Sequence, residues 1–118
     1  MESPLLDKSK TFALEIIKVC NHIRHTKRES VLTNQLLRSG TSIGANIREA
    51  FYAHGKADFI AKLQIALKEC YETEYWLELF VKADILNRDA AAELYTQCGT
   101  IRRMLIASCK TAKENLKR

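Results

Sequence analysis

Apolar positions along this chain recur at steps of three, four and seven, the spacing of one face of an α-helix. The first run is Leu6, Ala13, Ile16, Cys20 and Ile23. Ser3-Pro4 ahead of it reads as an N-cap followed by proline at the first helical position, where the missing N–H costs nothing. A second run follows a capping Ser30 and reads Leu36, Gly40, Ile43, Ile47, Ala50 and His54. Leu37, Gly44 and Phe51 lie beside it, so this stripe is wider than a two-helix seam requires. The third run is Phe59, Leu63, Ala66, Cys70, Leu77 and Phe80, widened by Ile60, Leu67, Tyr71, Trp76 and Val81, with Asp58 suited to the first turn. The fourth starts after Asn87 as N-cap and reads Ala91, Leu94, Cys98, Ile101, Leu105 and Ala112, flanked by Tyr95, Cys109 and Leu116.

These runs predict helices over about 4–26, 30–54, 57–83 and 88–115, with Gly55 as a helix stop. The breaks near 27–30, 54–57 and 84–87 are a few residues each. Connections that short force consecutive helices to lie antiparallel. The expected fold class is therefore all-α: a single domain over 1–118, built as an antiparallel up-down-up-down four-helix bundle.

Composition narrows the picture. A chain of 118 residues supports one core, and 47% hydrophobic with 28% charged residues argues against disorder. One proline suits long helices better than a turn-rich β fold. No run approaches the ~20 apolar residues of a membrane span. Met1–Lys10 has no apolar block of the signal-peptide kind, so a cytoplasmic location is expected. Nineteen Lys and Arg against fourteen Asp and Glu give +5, a mild bias toward polyanions.

Bundles often hold metals, but no Glu here is followed by His three positions later, so the di-iron pattern is missing. His22 and His25 read as solvated or capping side chains at a helix end, and His54 as packed or edge-exposed. Cys20, Cys70, Cys98 and Cys109 lack any C-x-x-C spacing and read as reduced, buried thiols. With no nucleophile–base pair and no cofactor loop, the expectation is a non-enzymatic protein: catalytic residues none, metal none, cofactors none. Gly40 and Gly44 cost about 1 kcal/mol each against alanine in a helix. Their spacing, with Ile47 and Phe51, marks a face for close helix packing, within the bundle or between subunits. Glu69, Glu72, Glu74 and Glu78, opposed by Arg38 and Arg48, read as interhelical ion pairs or a solvated acidic stripe. Tyr71, Tyr75 and Trp76 could stack on bases, but their helical spacing favours core or interface burial. The feature with a direction is the basic set Lys27, Arg28, Arg102, Arg103, Lys110, Lys113, Lys117 and Arg118, although antiparallel packing puts its two halves at opposite ends of the bundle.

One stretch is distinctive: Gln35-Leu36-Leu37-Arg38-Ser39-Gly40-Thr41-Ser42-Ile43-Gly44-Ala45-Asn46-Ile47-Arg48-Glu49-Ala50. With Lys8-Ser9, Phe12-Ala13, Lys56-Ala57-Asp58-Phe59-Ile60, Ala66-Leu67-Lys68-Glu69, Glu72 and Tyr75-Trp76-Leu77, it resembles the four-helix-bundle proteins encoded in intervening sequences of bacterial 23S ribosomal RNA genes. The resemblance covers nearly the whole chain. It implies a bundle that assembles into a ring-like homopentamer, and kinship with the accessory bundle proteins of diversity-generating retroelements, which look like binders of nucleic acid and reverse transcriptase. At position 55, where that pattern leads one to expect a helix-capping serine, this chain has Gly. Five copies would carry about +25, enough to concentrate polyanions by counterion release.

The leading expectation is an oligomeric adaptor that binds structured RNA, or a nucleic-acid-processing protein, through phosphate contacts from the basic set. The alternative is a protein-interaction scaffold with no nucleic-acid role, whose basic surface is incidental.

Overall fold

The computed structural model describes residues 3–117, so Arg118 lies outside the described residues. Its four helices are α1 (Pro4–Lys27), α2 (Val31–Phe51), α3 (Lys56–Lys82) and α4 (Arg88–Leu116). They stand side by side in an elongated body of 52 × 23 × 20 Å, each antiparallel to the one before it. Helix α2 packs on α1 and α3, and α4 on α3; the α1–α4 seam is the loosest of the four and leaves a shallow groove by Lys8, Thr11, Gln97 and Thr100.

Local chemistry sets most of the boundaries. The Ser3 hydroxyl accepts the Leu6 N–H, Pro4 occupies N1, and Asn87 caps α4 by accepting from the Ala90 N–H at 2.8 Å. Ser30 sits at the N-cap of α2 without a side-chain cap. The preceding residue takes the role: Glu29 accepts from the N–H groups of Leu32 and Thr33, each at 2.8 Å, and from the Thr33 hydroxyl at 2.7 Å. Partial burial pushes the Glu29 carboxyl up, but these hydrogen bonds prevail and hold it below its ordinary 4.5.

Helix α2 stops at Phe51, three residues before the expected end. Tyr52 and Ala53 donate to Glu49 and Ala50 in tight i→i−3 turns that do not continue the helix. His54 consequently lies outside the helix and exposed. Gly55 does not terminate α2; its extended backbone is the N-cap of α3, with no side chain to cap it. That is the capping position where the family pattern called for serine. The far end of α3 closes with Asp84 in the left-handed region (φ 59), where its N–H meets Val81 O and the Ile85 N–H meets Phe80 O at 2.8 Å. This double bond is the Schellman closure, which glycine usually provides.

The core follows the expected registers with small rotations. Ile16, Cys20, Leu36, Ile43, Ile47, Leu63, Cys70, Phe80, Cys98 and Leu105 are all fully buried. On α1 the buried stripe also contains Leu5, Ser9 and Phe12, while Leu6 and Ala13 sit half-buried at its edge. On α3, Ile60 takes the inner place expected of Phe59. No helix is long and apolar enough to cross a membrane among the described residues.

Candidate nucleic-acid interface

The cationic positions separate into an organised stripe, a small cap and a paired arginine. On α4, Arg103, Lys110 and Lys117 follow one another by seven, and Lys113 lies three beyond Lys110. At about 1.5 Å per residue they line some 20 Å of one helix face. All four are exposed, and among the described residues none is in an ion pair. Glu114 is the one acid in the chain between 103 and 117. Cations at the end of α4 also complement the negative pole of its dipole.

Lys27 and Arg28 are exposed at the end of α1, where Arg28 is the C-cap with left-handed backbone (φ 55). They sit at the opposite end of the bundle from Lys110, Lys113 and Lys117. Lys27 lines a 520 Å³ cleft with Lys18, His22, Asp84 and Asn87, whereas the end of α4 lines a cleft with His54, Lys56 and Phe59.

Arg102 departs from the expected phosphate-binding role. Its Nε donates to Glu74 Oε2 at 3.0 Å, and its guanidinium lies over the Tyr71 ring, 5.7 Å from the centroid. The hydrogen bond to Glu74, against the opposing effect of burial, raises the Arg102 pKa and fixes the charge. Glu74 is buried, so removing Arg102 would strand a carboxylate between α3 and α4. The signal was in the register: Glu74 stands four residues after Cys70 and three before Leu77, on the inner face of α3, although its residue type suggested solvent.

The carboxylates of α3 are individually held. Arg38 bonds both Glu69 (3.1 Å) and Glu72, the Trp76 Nε1–H donates to Glu72 at 3.1 Å, and Tyr95 donates to Glu78 at 3.1 Å. Arg48 takes no part. Ten residues separate it from Arg38, which is about 80° short of three full turns, so the two arginines leave α2 in different directions. Tyr71 and Tyr75 are about half exposed, at 52% and 54%, and only Trp76 is drawn inward.

The glycine face divides as well. A Cβ on Gly40 would stand 2.9 Å from Ile16 Cγ1 and Cγ2, so α1 and α2 meet closely there. On Gly44 it would reach the Ser9 carbonyl and hydroxyl at 3.4 Å, an ordinary contact. Ile47 is buried within the chain, and Phe51 packs edge-on against Phe59 with 36% of its surface exposed. The four cysteines are free and buried. Burial raises the Cys20 thiol to about 11 against the pull of Arg24, and it also raises Cys109. A hydrogen bond with Cys70, then burial, raises Cys98. Thiols so protonated are poor nucleophiles. Among the described residues no three His, Cys, Asp or Glu side chains gather as a metal site.

Comparison with known proteins gives two findings. The family model described as 23S rRNA-intervening sequence protein matches residues 2–107. A crystal structure described as a protein with unknown function from the S23 ribosomal protein family of Bacteroides thetaiotaomicron is 45% identical, with a TM-score of 0.88 over 90% of this chain and 98% of that one. None of the curated proteins matches.

Proposed function

The chain belongs to the 23S rRNA-intervening sequence protein family, and from that premise we propose that it is a non-enzymatic, oligomeric adaptor that binds structured RNA through its phosphates. The observation that carries this reading is the α4 stripe of Arg103, Lys110, Lys113 and Lys117, exposed and free of ion pairs among the described residues. Lys27 and Arg28 supply a second contact at the other end, and Arg102 is left out because Glu74 holds it. A single chain at +5 is a weak polyanion ligand; a ring of five, at about +25, would present five such stripes.

Phosphate contacts position a nucleic acid without reading its sequence. Binding should therefore show little base preference and a steep salt dependence. With four phosphates neutralised, raising monovalent salt from 50 to 200 mM should weaken affinity roughly 50- to 150-fold. Fluorescence anisotropy with a labelled stem–loop RNA measures this, and light scattering on the same sample measures the assembly. Lys110→Glu with Lys113→Glu and Lys117→Glu should abolish binding while leaving the circular dichroism of the bundle intact. Affinity that stays flat with salt, or survives the triple reversal, would refute the proposal and favour a scaffold for protein partners.

A further inference from the structure

Arg48 points into a groove that neither the core nor the α4 stripe uses. The groove runs between the first half of α1 and the second half of α2, with a volume of about 410 Å³. That is within the roughly 300–1,000 Å³ usual for small-ligand sites. Its uncharged lining sets the small residues Gly44, Ala45 and Ala13 beside Leu6, and its charged lining is Lys10, Arg48 and Asp7. Tyr52 stands at one end as the residue capping α2, with 76% of its surface exposed.

The charges here differ from those elsewhere on α2. Arg38 is held by two carboxylates, and the neighbour of Arg48 in sequence, Glu49, is turned to Lys62 at 3.2 Å. Arg48 meets no carboxylate within ion-pair distance among the described residues, and neither does Lys10. Two cations against Asp7 leave the groove net positive. An exposed aromatic ring and two cations without an ion-pair partner among the described residues, lining one groove, have the parts that hold a nucleotide: a flat surface for a base and donors for its phosphate. Tyr71 and Tyr75 lack this setting: the cation on the Tyr71 ring, Arg102, is already paired with Glu74, and Tyr75 packs against Trp76.

We propose that this groove binds one unpaired nucleotide of an RNA, its base stacked on Tyr52 and its phosphate held by Arg48 and Lys10. The ligand class rests on the RNA-binding reading above, while the site is separate from the α4 stripe. Together the two would prefer a stem–loop, with duplex phosphates on α4 and a looped-out base in the groove.

Adenosine 5′-monophosphate is the probe, titrated into the isotopically labelled full-length protein and followed by NMR. Amide shifts should cluster at Thr41, Ala45, Arg48 and Tyr52, and adenosine without phosphate should bind at least tenfold more weakly. Arg48→Gln and Tyr52→Leu should each weaken the nucleotide about tenfold, whereas Tyr52→Phe should retain it. Both side chains are exposed, so the variants should fold as the parent does. The triple α4 reversal should lose the stem–loop and keep the mononucleotide; a parent that bound the mononucleotide but no stem–loop would sink the α4 stripe's role and leave the groove standing. Shifts confined to α4, or no shifts at all, would overturn the groove proposal even where RNA binding persists. So would loss of self-association in Arg48→Gln without any nucleotide binding, since the groove would then be a contact between copies.

Discussion

Helix α2 has two seams, and they are built on different principles. Against α1 it uses absence: Gly40 has no side chain, and Ile16 fills the space so completely that a methyl group would lie 2.9 Å from two of its carbons. Cys20 adds a weak thiol hydrogen bond to Thr33 O at 3.7 Å. Against α3 the same helix uses polar pairing. Ser39 and Thr73, both buried, hydrogen-bond through their hydroxyls at 3.0 Å, and Arg38 bridges Glu69 and Glu72 at the rim. Steric seams tolerate no added volume, whereas rim ion pairs are screened by solvent and can be removed cheaply. The groove also lies on the α1 side, where Gly44 and Ala45 line it and Arg48 has no ion-pair partner among the described residues.

The largest effect should come from Gly40→Ala. Overpacking against Ile16 costs about 1–3 kcal/mol, and the better helix propensity of alanine returns about 1. A net loss of up to about 2 kcal/mol should appear as a lowered Tm in thermal unfolding. If Gly40→Ala were neutral, the α1 seam would be softer than its geometry states.

Glu29→Gln comes next and tests the connection between the two helices. Losing an ionised N-cap should cost about 1 kcal/mol at pH 7 by chemical denaturation. Because the folded carboxyl titrates below its ordinary 4.5, its contribution is present above that pH and is lost as pH falls through the lower folded value. The parent should therefore lose stability over that acid window more steeply than the glutamine variant. Parallel curves would show that the cap carries no charge-dependent part.

Arg38→Ala should be milder, about 0.5–1 kcal/mol, and its cost should shrink at high salt. Gly44→Ala should fall on the other side of zero. An added methyl meets Ser9 at an ordinary 3.4 Å, so the helix gains up to about 1 kcal/mol of stability. Opposite signs at Gly40 and Gly44 would sharpen the contrast between core seam and groove lining; equal losses would erase it.

The number of helices, their order and most of the core register follow from the sequence by itself, because helical periodicity is a local property that a few apolar positions suffice to phase. Asn87, Ser3-Pro4 and the run from Leu36 to Ala50 act through neighbours three or four residues away, and such signals do not need the rest of the molecule. The pairing of polar side chains is decided elsewhere. Ser30 is the cap that residue type predicts, and only the path of the 27–30 turn brings the Glu29 carboxylate to the α2 amides instead. Arg102 and Arg103 are adjacent, yet one faces buried Glu74 and the other solvent, a matter of 100° of helix rotation. Arg38 and Arg48 part company for the same reason. Which charges stay available to a ligand depends on distances of a few ångströms between separate helices, and those distances exist only once the bundle has closed.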